Sequence, residues 1–213
     1  MIIEKIQEVH IKKRFDWVKK SKPFNNLLDR FGLRNKKVLD LWCAYWEFLI
    51  HFGKDSLWIT FNDKELEFWI KYWINIEKYN LENDFDMRYN KYDAIFANNI
   101  IEHIYSPHKF LLNCRNALHE NWIMIIWVPV IALNWLVNKL FKWVYADDHV
   151  NFFTVLTIIK TIERAWFEII DYDLFYFKCS FLNKLLINFI PHVYVIAKKG
   201  KLDYWNKWVK WFY

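Results

Sequence analysis

Residues 38–48 read VLDLWCAYWEF, and this stretch decides the architecture. Its opening is a short apolar run carrying one acid, Asp40, and the "EFLIHFG" that follows has helical spacing. A buried strand therefore passes straight into a helix, through a turn that contains Trp42 and Trp46. Such a turn ordinarily takes glycine, which reaches positive φ without a Cβ clash and lets backbone pass close to a ligand or to the sheet. Two of the bulkiest side chains at that point need an explanation.

Outward from this turn the chain alternates between two periods. "SLWITF" (56–61) is a second strand, and "DKELEFWIKYW" (63–73) is a helix capped by Asn62 or Asp63. A third strand lies near "INIEKYN" (74–80), then a polar loop to Asn90 and a fourth strand, "YDAIFAN" (92–98). Ser106-Pro107 is a helix start for "PHKFLLNCRNALH", and "WIMIIWVPV" (122–130) is a buried strand stopped by Pro129. "IALNWLVNKLFKWVY" (131–145) reads as an amphipathic helix or lid, and "TVLTIIKTIERA" (154–165) as a helix capped by Thr154. "FEIIDYDLFYF" and "HVYVIAKK" are the last strands, expected to form an antiparallel edge because no comparably clear helix separates them. Alternating strands and helices imply a mostly parallel α/β sheet with helices on both faces. The expected organisation is an N-terminal helical segment (1–35), a main domain (36–199) with a lid region at about 130–147, and a basic aromatic tail (200–213).

A chain of 213 residues, 55% hydrophobic, supports one domain with a substantial core. Its 30 basic against 24 acidic residues give a net charge of +6, which favours an anionic ligand or surface. The charges are scattered rather than striped, which argues against nucleic acid. No uninterrupted apolar run of about 18 residues and no secretory signal is visible, so the expectation is a cytoplasmic protein with no spanning helix. Cys43, Cys114 and Cys179 are far apart and share no metal-ligand spacing, so reduced thiols and no metal site are expected.

The composition holds 3 Gly and 14 Trp. Average usage, about 7%, would supply roughly 15 glycines in such a chain. The tryptophans fall where this architecture needs glycine. Trp42 and Trp46 sit in the first strand-to-helix turn, Trp73 and Trp166 each close a helix, Trp122 leaves a turn, and Trp58 interrupts a strand. That distribution is what UGA codons read as glycine would give if translated as tryptophan. A Trp-rich binding face would instead show regular spacing on one surface.

With glycine at 42 and 46 the stretch becomes V-L-D-L-G-C-A-Y-G-E-F. It then resembles the first motif of class I S-adenosylmethionine-dependent methyltransferases of the small-molecule type. The resemblance runs in order through residues 36 to 170, over "SLWITFNDKELEF", "YDAIFANNIIEHIYSPHKFL", "LHENWIMIIWVPV" and "DDHVNFFTVLTIIKTIERAWFEII". It implies a Rossmann-like, mostly parallel seven-stranded sheet with an antiparallel last strand, S-adenosylmethionine as cofactor, and methyl transfer to a small molecule.

The resemblance also implies site residues. Asp40 supports the turn or the methionine amino group, and Trp42, Cys43, Ala44, Tyr45 and Trp46 pack beneath the cofactor. Thr60 and Phe61 stand where the ribose hydroxyls are met; position 60 is normally acidic, so Asn62 would have to substitute. Asn80 and Leu81 match the adenine position, and Asn98 and Asn99 border the methyl-transfer face. Glu102 and His103 form the family's Glu-His pair, which often orders the loop, and His149 follows the lid beside Asp147 and Asp148. His149 and His103 are the catalytic candidates, because a histidine within hydrogen-bond reach can deprotonate a hydroxyl acceptor.

The run "LFYFKCSFLNKLLINFI" (174–190) reads first as core and cover over the sheet edge rather than as a membrane anchor; with Lys178 and Lys184 and the apolar lid it also suits a hydrophobic, lipid-linked or glycan-like acceptor and peripheral membrane contact. Competing readings are a degenerate, noncatalytic protein of the same fold, to which Thr60 points, and a nicotinamide-dependent dehydrogenase, which shares the glycine-rich turn. A nucleic-acid methyltransferase is a third, but "ANNIIEH" stands where an Asn-Pro-Pro-aromatic motif would be expected.

Overall fold

The computed structural model describes residues 20–41, 51–70, 75–84, 92–133, 135–187 and 189–200. The turn residues 42–46, Trp73 and the tail from 201 onward lie outside the described residues. Seven strands form one sheet: β1 (Val38–Leu41), β2 (Leu57–Thr60), β3 (Ile76–Lys78), β4 (Ala94–Asn98), β5 (Ile123–Pro129), β6 (Phe167–Asp173) and β7 (His192–Lys199). Their order is β3-β2-β1-β4-β5-β7-β6. The first five strands are parallel neighbours, and β7 runs antiparallel between β5 and β6.

Every residue of β1, β2 and β4 is buried, as expected for parallel strands covered on both faces. Because successive side chains point to opposite faces, two cores result. On one face Val38, Trp58, Phe96 and Ile196 pack with Phe24, Leu27 and Leu28 of helix α1 (Lys22–Phe31), and with Trp69 of α2 (Asp63–Ile70). On the other, Leu39, Ile59, Ile95, Ile126 and Val195 pack with α3 (Pro107–Ala117) and α5 (Val155–Arg164).

Local signals place these helices. Pro23 lies in the first turn of α1, and Gly32 ends the helix in the left-handed region at φ 60°, its N–H bonding to the Leu28 carbonyl. Pro107 opens α3 as the sequence implies. Thr154 caps α5 reciprocally: its side chain accepts from the Thr157 N–H while the Thr157 hydroxyl accepts from the Thr154 N–H. The lid region forms a short helix, α4 (Trp135–Leu140), and a 3-10 turn (Lys142–Tyr145). Between the last two strands lies α6 (Ser180–Leu186), which the sequence reading did not separate from the aromatic run around it.

Among the described tryptophans the glycine expectation meets different backbones. Trp166 closes α5 at φ 65°, a conformation that Cβ-bearing residues occupy at a cost of roughly 1–2 kcal/mol. In the turn before β5 the left-handed residue is Asn121, at φ 57°, rather than Trp122. Trp58 is fully buried beside Trp69, with ring centroids 6.4 Å apart, and so fills a core position. Position 166 therefore carries the strongest backbone case for glycine. Trp166→Gly should exceed Trp166→Ala in stability by about 1 kcal/mol in denaturant unfolding, the reverse of the order in a helix interior. The coding DNA should read UGA at codon 166, and UGG at 42, 46, 122 and 166 would refute the recoding.

Candidate cofactor site and the Glu102 cluster

The sheet order reverses between β1 and β4, and ligands of open α/β sheets bind outside the carboxyl ends of the strands at such a point. Asp40, Thr60 and Asn98 come together there. Alternation puts Asp40 on the face of Val38, Thr60 on that of Trp58 and Asn98 on that of Phe96, and these three neighbours share one core. Asp40 and Thr60 are wholly buried and Asn98 nearly so. The Thr60 hydroxyl accepts from the Asn62 N–H at 3.1 Å, so the residue in the usual acidic position is turned into its own loop.

The remaining expected residues surround this point less closely. Asn80 lies just beyond β3, exposed, with its side-chain oxygen accepting from the Glu82 N–H, while Leu81 beside it is buried. Phe61 is exposed. Asn99 turns the chain out of β4 at φ 47° and donates its N–H to the Trp127 carbonyl. Trp42, Cys43, Ala44, Tyr45 and Trp46 fall outside the described residues.

Sequence reasoning missed an aromatic wall next to Asn98. Trp127, the register partner of Asn98, stacks on Tyr194 at 5.4 Å and 10°, and His192 meets its ring edge-on at 5.5 Å. Burial pushes the His192 imidazole down to about 4, so it is neutral at physiological pH. Alternation in β5 was the available signal, since it puts Trp127 on the same face as Ile125.

Beyond β4 the chain makes a 3-10 turn, Ile101–His103, onto which the segment after the lid is stitched. The N–H groups of Val150 and Asn151 both donate to the Glu102 carbonyl at 2.9 Å, and the Asn151 amide donates to the Ile104 carbonyl at 2.6 Å. His149 is thereby brought against His103, with ring centroids 4.8 Å apart and near perpendicular. The two catalytic candidates thus share one place. Glu102 completes it: its carboxylate is buried, lies 3.9 Å from His103 Nε2, and accepts a hydrogen bond from no other group among the described residues. One donor atom from each of the three residues lies within 4.8 Å of the others. His103 Nδ1 also contacts the Asp148 carbonyl at 3.0 Å, and His149 Nδ1 the Val144 carbonyl at 3.0 Å.

No family model matches the sequence, and no curated protein matches it. Solved structures do match. An S-adenosylmethionine-dependent methyltransferase from Clostridium acetobutylicum superimposes with a TM-score of 0.61 at 13% identity, over 94% of this chain and 100% of that one. One from Mesorhizobium loti gives 0.60 at 14% identity, over 85% and 100%. One from Archaeoglobus fulgidus gives 0.57 at 16% identity, over 87% and 99%. The fold is the class I methyltransferase fold. At these identities the similarity concerns the fold.

Burial, offset in part by the residue's own backbone and reinforced by the negative charge of Asp148, pushes Glu102 from the ordinary carboxylate value of 4.5 up to about 8. The folded state therefore holds a proton that the unfolded state gives up near 4.5. The stabilisation is complete below that pH and is lost as pH rises toward and through 8. In the presence of EDTA, chemical denaturation should show stability falling between about pH 5 and pH 8, and Glu102→Gln should flatten that fall.

Proposed function

We propose that this protein is an S-adenosylmethionine-dependent methyltransferase acting on a small-molecule acceptor with an apolar or lipid-linked part. The observation that supports it most is the buried Asp40 at the carboxyl end of β1, flanked by Thr60 and Asn98 at the switch point of a methyltransferase-like sheet. In this reading Asp40 meets the turn or the methionine amino group, and the turn at 42–46 underlies the cofactor. The Asn62 region replaces the missing acid at the ribose, Asn80 and Leu81 border the adenine, and Asn98 and Asn99 face the transferring methyl. The sulfonium is already activated, so the protein's contribution is to align donor and acceptor and exclude water. His103 and His149 stand on the acceptor side, just beyond β4.

The inward-turned Thr60 hydroxyl favours a noncatalytic cofactor-binding protein instead, as genuine tryptophans at 42 and 46 would. Calorimetry with S-adenosylhomocysteine on the chain carrying Trp42→Gly and Trp46→Gly separates the two. Binding is expected, weakened about tenfold or more by Asp40→Asn through loss of a charge-assisted hydrogen bond. No binding at high ligand concentration would defeat the enzyme reading, and binding without methyl transfer to any acceptor would favour the noncatalytic one.

The apolar acceptor is inferred from the rim. The lid leaves the carboxyl end of β5, and α6 follows that of β6, so both border the same edge of the sheet. Among the described residues Leu133, Leu140, Trp143, Phe177, Phe181 and Leu185 are exposed there. No acidic residue occurs from Asn121 to Ala146 or from Leu174 to Gly200, whereas Lys139, Lys142 and Lys178 lie among the apolar side chains. Apolar side chains interspersed with lysine suit an anionic membrane surface. No described helix is long and apolar enough to cross a membrane. The protein should therefore co-sediment with phosphatidylglycerol vesicles more than with phosphatidylcholine vesicles, release at high salt, and bind about tenfold more weakly after Leu140→Glu with Phe181→Glu.

A further inference from the structure

We infer that Glu102, His103 and His149 form a binding site for a single divalent transition-metal ion. The donor set is the first reason. Two imidazoles and one carboxylate suit zinc and its first-row neighbours rather than magnesium or calcium, which prefer oxygen donors throughout.

Orientation is the second. Each imidazole has its Nδ1 against a backbone carbonyl, His103 against Asp148 and His149 against Val144, both at 3.0 Å. A carbonyl only accepts, so each Nδ1 carries the proton and each Nε2 the lone pair. Metal-binding histidines are commonly fixed by such bonds, which set the tautomer and raise the basicity of the ligating nitrogen.

The third reason is the carboxylate. Glu102 is 1% exposed, and no other group among the described residues hydrogen-bonds to its carboxylate. A buried carboxyl aimed at an imidazole 3.9 Å away ionises cheaply only when a cation is there to share the charge. Donors around a tetrahedral zinc ion at about 2.1 Å stand roughly 3.4 Å apart. Here one nitrogen of each imidazole and one Glu102 oxygen lie within 4.8 Å of one another, so rotations of the side chains are enough to close the site. The backbone already holds the partners together, because Val150 and Asn151, which follow His149 directly, both donate to the Glu102 carbonyl.

Three protein donors leave at least one coordination position open to water or to an acceptor hydroxyl. As ligands, the histidines would act on an acceptor through the ion rather than as proton acceptors. The inference does not depend on the methyl-transfer reading, which the S-adenosylhomocysteine measurement tests on its own.

The test uses the full chain, stripped with EDTA and dialysed. Titration with Zn2+ against a chromophoric competitor should give one equivalent bound, and Co2+ should produce visible d–d absorption bands. Glu102→Gln and His149→Asn should each weaken binding at least about tenfold, while His119→Asn, away from the cluster, should leave it unchanged. Unfolding curves in EDTA verify that the variants fold, and Glu102→Gln preserves shape while removing the ionisable oxygen donor. Absence of stoichiometric Zn2+ or Co2+ binding would overturn the site, as would tight binding that survives both substitutions in folded protein.

Discussion

The structure depends on a parallel sheet having to bury both of its faces. β1, β2 and β4 have no solvent side, so the residues along them are apolar except where a strand ends. The polar residues in this layer, Asp40, Thr60 and Asn98, are confined to the carboxyl ends. The cost of burying a polar group is therefore met at one edge only, where a ligand can share it. Helices α1 and α2 on one face and α3 and α5 on the other follow from the same requirement.

The strands were readable in the sequence because apolar runs of four to seven residues are bounded by strong punctuation: Ser106-Pro107, Pro129, Thr154 and Gly32 all act where their chemistry predicts. α6 was harder to read because its sequence, SFLNKLL, sits inside an aromatic run without a contrasting polar face. Placement of β7 between β5 and β6 is a matter of long-range pairing, which no local pattern encodes. Asp40, Thr60 and Asn98 were singled out through the family resemblance, and the structure puts all three near strand ends on one face of the sheet. The union of Glu102, His103 and His149 was legible only in part: the Glu102-His103 pair and His149 were noted separately, and their meeting depends on hydrogen bonds across some 45 residues of chain.

The tryptophans show how sequence and backbone can disagree. At Trp166 the backbone holds a conformation suited to glycine although the side chain is the largest available, since the helix must end there for β6 to enter the sheet. At Trp58 the same residue type is simply core. Residue type alone does not separate the two cases, whereas φ does.

Two asparagines give the apolar rim a further property. Asn138 donates to the Ala132 carbonyl at 2.8 Å and accepts from its N–H at 2.9 Å, and Asn183 does the same with Phe177, at 2.8 and 2.9 Å. Each side chain completes the hydrogen bonds of a loop backbone six residues away and so closes a short ring at the start of an apolar segment. The two segments flanking the sheet edge are thus ordered before anything lands on them. Contact with an apolar partner would then incur little loss of chain entropy, and its dissociation rate would be governed by the surface covered rather than by refolding of the rim.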